Sequence, residues 1–427
     1  MEHIVIIGNG VSGVTAARHI RKLSDKQITI ISDETDFFFS RTALMYVFMG
    51  HMKFKHTQPY ENAFWKKNNI ALKKGFVTTV DTDKKELLLS DDAKIAYDKL
   101  IIATGSKPNK FGWPGQDLDG VMGLYHKQDL DYLEKHSKGC NNAVIVGGGL
   151  IGIELAEMLL SRNISVTFLV REASFWDGVL PKEESAMINR HILEHHIDLR
   201  LETHLKEILP DNDGKVKAVV TDRGEIIECQ IVGLTAGVSP NINFLENSGI
   251  KIDKGAIVNR YLETNVKDVY AIGDCAQQEE AIGHRKPIEA VWYTGRMMGE
   301  AVAQTICGNK TPYNPGHWFN SAKFLDIEYQ TYGWVFPKPL DYEQQFYWEH
   351  PKGKKCIRIA YHKKTNELLG VNSLGIRLRH EVIDKWLTEK RSVNYVIKHF
   401  EQANFDPEFF STHEKEIQQR FNSSQKV

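Results

Sequence analysis

Six glycines carry the first chemistry in this sequence. Gly8, Gly10 and Gly13 are spaced G-x-G-x-x-G in "HIVIIGNGVSGVTAARHI", and Gly147, Gly149 and Gly152 repeat the spacing in "NAVIVGGGLIGIELAEML". Each triplet follows a short apolar run and opens a helical pattern, the context that makes this spacing a phosphate-binding turn. The first glycine allows the tight turn. The second lets the backbone approach a pyrophosphate with no Cβ in between, and the third lets the helix pack on the strand. The helix start adds free N–H groups and a positive end. Leu150 and Ile151 open the second helix and belong to its cradle.

Two such cradles imply two dinucleotides. The next apolar strand of each half should end beside an adenosine ribose. In "ITIISDE" that end carries Asp33, the candidate to accept from ribose hydroxyls. In "VTFLVRE" it carries Val170 and then Arg171, which suits a 2′-phosphate, while Glu172 beside it opposes that charge. The choice between NADH and NADPH therefore stays open.

The elements that hold these turns repeat too. "DKLIIATGSKPN" follows the first turn and "CQIVGLTAGVSPN" the second, each an apolar strand, a small-residue turn and Pro-Asn. The offsets are 97 residues from Gly8 to Gly105 and 90 from Gly147 to Gly237, so one module is present twice. Alternating strand and helix patterns over about the first 300 residues predict an α/β architecture. A further strand is expected in "TNVKDVYAIGDCA" and a helix in "EAVWYTGRMMGEAVAQTICG". A boundary is expected near "GNKTPYNPGH". Beyond it, "FLDIEYQTYGWV", "EQQFYWEH" and "CIRIAYH" read as antiparallel strands, followed by helices around "RHEVIDKWLTEK" and "SVNYVIKHFEQ" and a frayed "NSSQKV" end.

Composition narrows the function. The 427 residues are 42% hydrophobic and 26% charged with a net charge of −1, an ordinary globular balance without bias toward nucleic acid. No apolar run is long enough to span a bilayer, and the N-terminus enters a strand without a basic leader, so a cytoplasmic location is expected. The five cysteines, Cys140, Cys229, Cys275, Cys307 and Cys356, lie no closer than 32 positions apart. With no C-x-x-C, neither a metal–thiolate cluster nor a local redox disulfide is encoded. His191 and His195 share a helix face, but no acid–histidine pattern nearby completes a metal site; a polar helix face, and no metal, is the expectation. Residues 351–391 hold eleven Lys and Arg against four Asp and Glu, an excess of seven. This basic stretch suits an acidic electron-carrier protein.

The ordered set of glycine turn, "ATGSKP", second turn with "GIELAE", "TAGVSPN" and "VKDVYAIGDCA" resembles the FAD-dependent pyridine nucleotide–disulfide oxidoreductases over roughly residues 1–310. The resemblance implies FAD in the first module and NADH or NADPH in the second. It implies two Rossmann-like domains, FAD-binding at 1–112 and 246–315 and NAD(P)-binding at 113–245, plus a C-terminal α+β domain at 316–427 that covers the flavin or forms a homodimer contact. By the same resemblance Gly8, Gly10 and Gly13 hold the FAD pyrophosphate and Arg41 neutralises a phosphate. Thr104 and Gly105 line the cofactor, and Gly273 and Asp274 meet the ribityl chain. Glu289, Val291, Trp292 and Trp318 lie near the flavin ring. Gly147, Gly149 and Gly152 hold the nicotinamide cofactor, with Glu154 at the nicotinamide and Gly237 along its path.

Within the superfamily, "ISDETDFFFSR" and "WFNSAKFLDIEYQTYG" are similar to stretches of the ferredoxin and rubredoxin reductases, and the former also to the flavin module of NADH-dependent nitrite reductases. Two positions depart. Tyr46 stands where the group often has a lysine able to pair with the acid at Glu154, and Asn320 to Lys323 replace a Trp-Ser-Asp-Gln pattern. Peroxidases of the superfamily carry a cysteine in the segment that here reads "FFFSRTALMY". Its absence predicts direct electron transfer from NAD(P)H through flavin to an external acceptor. The alternatives are a nitrite-reductase-like flavin component and an FAD- and NADH-binding redox-sensing or assembly protein of low turnover.

Overall fold

The structure, a computed structural model, describes residues 1–424. The chain forms two compact units: Met1–Asn109 with Gly123–Lys135 and Gly237–Pro315, and Lys110–Met122 with His136–Ala236 and Gly316–Val427.

The first unit is built on a five-stranded parallel sheet. Its order is Val269–Ala271, Lys99–Ile102, His3–Ile7, Gln27–Ser32, Ile70–Lys74. Parallel strands are covered on both faces, which explains their near-continuous apolar sequence. Ile4, Val5, Ile6, Leu100, Ile101 and Ile102 are fully buried. The glycine-bearing strand sits in the centre, so its C-terminal turn opens at mid-sheet. Helix Val11–Leu23 leaves that turn and packs on helix Trp292–Ile306.

The second unit repeats the plan. Its parallel sheet runs Asp198–Arg200, Ser165–Leu169, Asn142–Val146, Ile231–Leu234, Val121–Met122. The second glycine-bearing strand, Asn142–Val146, is again central, flanked by its next nucleotide strand and by the strand of the downstream turn. Each unit also has a three-stranded antiparallel sheet, at Val77–Asp81, Glu86–Leu89 and Lys94–Ala96 and at Leu205–Pro210, Val216–Thr221 and Ile226–Glu228. The duplication read from the sequence thus extends to strand order.

The second unit also contains a five-stranded antiparallel sheet, ordered Phe319–Phe324, Ile327–Gly333, Leu368–Leu374, Cys356–His362, Glu343–Glu349. Three of these strands are the aromatic-rich ones expected. Leu368–Leu374 escaped because six of its seven residues are buried, which removes the alternation that marks a half-exposed strand. Helices His380–Thr388 and Val393–Lys398 match the expected pair. A third, Glu414–Ser424, was not expected. It buries only Ile417 and Phe421, too sparse an apolar stripe to register. Its last turn takes in Asn422–Ser424, so the frayed end does not start at 422; residues 425–427 lie outside the described ones.

Candidate functional site

The two glycine turns are alike in detail. A Cβ on Gly8 (φ +114°) would lie 2.1 Å from the Ala103 carbonyl oxygen, and one on Gly147 (φ +117°) 2.8 Å from that of Thr235. A Cβ on Gly13 would lie 2.2 Å from the Gly8 carbonyl oxygen, and one on Gly152 2.7 Å from that of Gly147. The first and third glycines are therefore required by the protein itself. At Gly10 and Gly149 a Cβ would meet nothing within 4 Å. Packing gives no reason for glycine there; the close approach of a bound group does. Gly10 and Gly149 are also the N-caps of helices Val11–Leu23 and Leu150–Leu160, with no capping side-chain bond and no acid in either first turn. The free N–H groups at each helix start are left for an anion. Both cradles fit a dinucleotide pyrophosphate.

Around the first cradle the side chains are mostly engaged with each other. Arg41 grips Glu34 in a two-pronged pair, Nη1 to Oε1 at 2.8 Å and Nη2 to Oε2 at 2.7 Å, and Nη1 also donates to the Tyr125 carbonyl. Glu34 further accepts from the Lys127 backbone N–H at 2.8 Å. Burial alone would raise the Glu34 carboxyl; hydrogen bonds from His126 and Arg41 and the Arg41 charge outweigh it and hold it at about 2. The expected phosphate partner Arg41 thus already carries a carboxylate. Asp33, the expected ribose acceptor, is exposed at the strand end.

A depressed carboxylate pKa means stability present above the unfolded value and lost as pH falls through the folded one. From about 4.5 down to about 2 the shift corresponds to about 3 kcal/mol. Glu34→Gln is expected to cost about that much at pH 7 and to remove the part of the acid unfolding that falls between pH 4.5 and 2, read by urea midpoints across that range.

Asp274 follows strand Val269–Ala271, where it accepts from Ser106 Oγ at 3.2 Å and the Tyr125 hydroxyl at 3.3 Å. Burial raises its carboxyl against those two bonds. Tyr125 also receives the Ser106 backbone N–H at 3.0 Å, and burial pushes its phenol up to about 12. Thr104 donates to the Asn241 carbonyl at 2.7 Å. Gly105, Gly237 and Gly273 all take left-handed conformations, with φ of +67°, +90° and +74°. Glu289 is buried and turned to Arg285, 2.7 Å from Nη1, and to the Tyr313 hydroxyl at 3.3 Å. Val291 caps helix Trp292–Ile306, and Trp292 at its start is 38% exposed.

In the second unit Glu154 is the fifth residue of helix Leu150–Leu160. Burial, with the Glu157 charge one turn on, pushes its carboxyl up to about 7. Among the described residues its carboxylate has no hydrogen bond or ion pair. Lys323, one of the departing residues, pairs instead with Glu157 at 2.6 Å. Tyr46 stacks on His51 in the first unit. Arg171 is largely exposed and tied to Glu172 at 2.6 Å, so any 2′-phosphate would compete with that carboxylate. Trp318 stacks on Trp334 with ring centroids 5.5 Å apart.

Four of the five cysteines are poorly placed for a relay. Cys140, Cys229, Cys275 and Cys356 are buried, and burial pushes the Cys140 and Cys229 thiols up to about 11 and 12 and raises Cys275 and Cys356 as well. A thiol held protonated is a poor nucleophile.

Residues 2–299 match the family model described as pyridine nucleotide-disulphide oxidoreductase. The chain belongs to this family. Its members are NAD(P)H-dependent flavoprotein oxidoreductases, and FAD and NAD(P)H are the cofactors of this enzyme. The chain is 30% identical to the nitrite reductase [NAD(P)H] of Bacillus subtilis over 77% of its own length, but spans only 40% of that protein. It is 30% identical to a ferredoxin--NAD(P)(+) reductase of Sphingomonas sp over 77% of its length and 80% of the relative's. Its fold matches the solved structure of a covalent putidaredoxin reductase–putidaredoxin complex at a TM-score of 0.81, with 20% identity and 99% of both chains covered. Among the described residues no helix is long and apolar enough to cross a membrane.

Sequence reasoning missed Tyr125, Ser106 and Glu34 as partners within the first unit. Glu34 lay beside the chosen Asp33, and only burial separates the two. No local pattern announces Tyr125, which reaches Asp274 across 149 positions.

Proposed function

We propose that this enzyme takes a hydride from NAD(P)H onto FAD and passes the electrons to a small, acidic redox protein without a thiol relay. The observation that carries this is the matched pair of glycine turns, each with a second glycine over which open space is left for a bound group among the described residues. The first unit would hold FAD through Gly8, Gly10 and Gly13, with Asp274 and Thr104 along it. The second would hold NAD(P)H through Gly147, Gly149 and Gly152. When bound, FAD supplies the two-electron to one-electron conversion that such a carrier needs. The chain supplies orientation, exclusion of water and charge.

Glu154 has a defined part in this proposal. Its carboxylate, ionised above about pH 7, would stabilise the positive charge that develops on a nicotinamide ring as hydride leaves. The rate of flavin reduction by NAD(P)H is expected to rise with pH through about 7, and Glu154→Gln to flatten that rise. Because the fold disfavours the ionised carboxyl, the same variant should melt higher at pH 8. A wild-type pH profile retained in Glu154→Gln removes the residue from the mechanism.

The basic stretch is smaller at the surface than its residue count. Arg358 is buried against Glu183 and Glu184, and Arg377 and Arg391 are paired with Glu328 and Glu389. Lys352, Lys363, Lys364 and Lys390 are exposed and form no ion pair among the described residues. They suit steering of an acidic carrier. Acceptor profiling of the reduced enzyme under anaerobic conditions tests the assignment. Turnover with acidic ferredoxins or rubredoxins that falls with added salt supports it; turnover confined to quinones or oxygen refutes it. Identity to a nitrite reductase favours a second reading, a flavin component whose remaining redox centres lie outside this sequence. The chain's setting would be the cytoplasm, and a homodimer through residues 316–427 belongs to the same proposal.

A further inference from the structure

His191 and His195 stand four residues apart near the end of helix Lys182–Glu194, where that spacing places both rings on one face. The structure brings a third group to them. A tight turn joins strands Phe319–Phe324 and Ile327–Gly333, with Leu325 in the left-handed region (φ +56°), and Asp326 leaves that turn toward the two rings. Asp326 Oδ1 lies 2.5 Å from His191 Nε2 and 3.3 Å from His195 Nε2. The sequence-based expectation of a plain polar helix face is corrected here: a carboxylate does complete the pair, from 135 and 131 positions further along the chain.

The orientation of the rings is that of ligands. The ring N–H at His195 Nδ1 donates to the His191 carbonyl oxygen at 2.9 Å, which leaves the Nε2 lone pair turned to Asp326. The His191 side chain is 1% exposed, and apart from the close contact of Nε2 with Asp326 neither of its ring nitrogens has a hydrogen-bond partner among the described residues. Glu194 Oε2 lies 3.7 Å from His191 Nδ1, the place of an outer carboxylate behind a ligating imidazole. One side of the cluster is open, with His195 32% and Asp326 61% exposed, so an ion has a way in and a water a place to bind. All three ligand atoms lie within 4.8 Å of one another. The other histidine cluster, His350, His413 and Glu416, lacks this arrangement: Lys355 Nζ sits 3.1 Å from His413 Nε2 and puts a cation where a metal would go.

We propose that His191, His195 and Asp326 form a zinc site that ties helix Lys182–Glu194 to the Phe319–Gly333 hairpin within the second unit. Two imidazoles and one carboxylate, with water in the fourth position, are a donor set zinc accepts in tetrahedral geometry. The site is separate from the dinucleotide cradles and stands whether or not the electron acceptor is as proposed.

The test uses the full chain with its flavin bound, stripped of metal by a chelator and titrated with Zn²⁺ by calorimetry. One ion per chain is expected, with a dissociation constant of about 1 μM or tighter. Zn²⁺ should raise the melting temperature, because it binds the folded state. His195→Ala and Asp326→Asn, both partly exposed and tolerable to the fold, should each weaken binding about 100-fold and abolish the thermal shift. His350→Ala should change neither. Failure of the wild-type chain to bind Zn²⁺, or wild-type affinity in either variant, overturns the site.

Discussion

Gly10→Ala is expected to fold as well as the wild-type chain and to hold FAD about 10- to 100-fold more weakly. The backbone at Gly10 has φ −72°, which alanine adopts freely, and beyond its chain neighbours a methyl group there meets none of the described residues within 4 Å. Among the described residues it obstructs nothing, so its effect should fall on the group proposed to bind over the helix start. Gly8→Ala should behave in the opposite way. Its methyl would lie 2.1 Å from the Ala103 carbonyl oxygen at a φ of +114°, so the fold itself should fail before flavin binding can be asked about. The second cradle supplies the control. Gly149→Ala meets nothing within 4 Å either, and should keep its flavin while its KM for NAD(P)H rises about 10-fold or more. Flavin content after gel filtration, apoprotein melting and steady-state KM separate the three variants. A Gly10→Ala chain that keeps FAD as tightly as wild type would remove the first cradle from flavin binding.

A second large stability effect is expected at Arg358. Its Nε donates to Glu184 Oε1 at 3.0 Å, Nη2 to Glu183 Oε2 at 2.6 Å and Nη1 to Gln345 Oε1 at 3.1 Å. Asn372 Nδ2 completes the set at 2.9 Å from Glu184 Oε2. Glu184 is fully buried, so its carboxylate depends on these partners for what water would otherwise provide. Arg358→Leu strands that charge and is expected to destabilise the second unit by about 3–5 kcal/mol. Adding Glu184→Gln removes the stranded charge and should restore more than half of the loss, because the cost lies mostly in the unpaired ion rather than in the missing attraction. Denaturant unfolding of both variants decides it. A double variant no more stable than Arg358→Leu alone would place the cost in lost packing of the long side chain.

These two predictions differ in how far a sequence makes their sites legible. The two turns are legible because their determinants are local: three glycines within six positions, between an apolar strand and a helix, fix the turn. The copy 139 positions later marks the module as repeated, and the strand order repeats with it. The side-chain partnerships were not readable. Glu184 meets Arg358 across 174 positions, Ser106 meets Asp274 across 168, and Asp326 reaches His191 across 135. Each depends on tertiary placement of a residue whose own neighbourhood looks ordinary. Arg41 shows the intermediate case. The resemblance points to Arg41 after the second strand, but not to its partner Glu34, seven positions away, because a strand end alone does not say which acid turns inward. The third C-terminal helix, Glu414–Ser424, lacked enough apolar residues to be seen at all.

The proposed function requires that NAD(P)H reduce the bound flavin. Anaerobic rapid mixing of the FAD-loaded enzyme with NADH and, separately, NADPH measures it directly. Loss of the flavin absorbance near about 450 nm at one equivalent of one of the two nucleotides is the predicted result, with Gly149→Ala needing a higher nucleotide concentration for the same rate. A flavin that stays oxidised with both nucleotides would contradict the central claim.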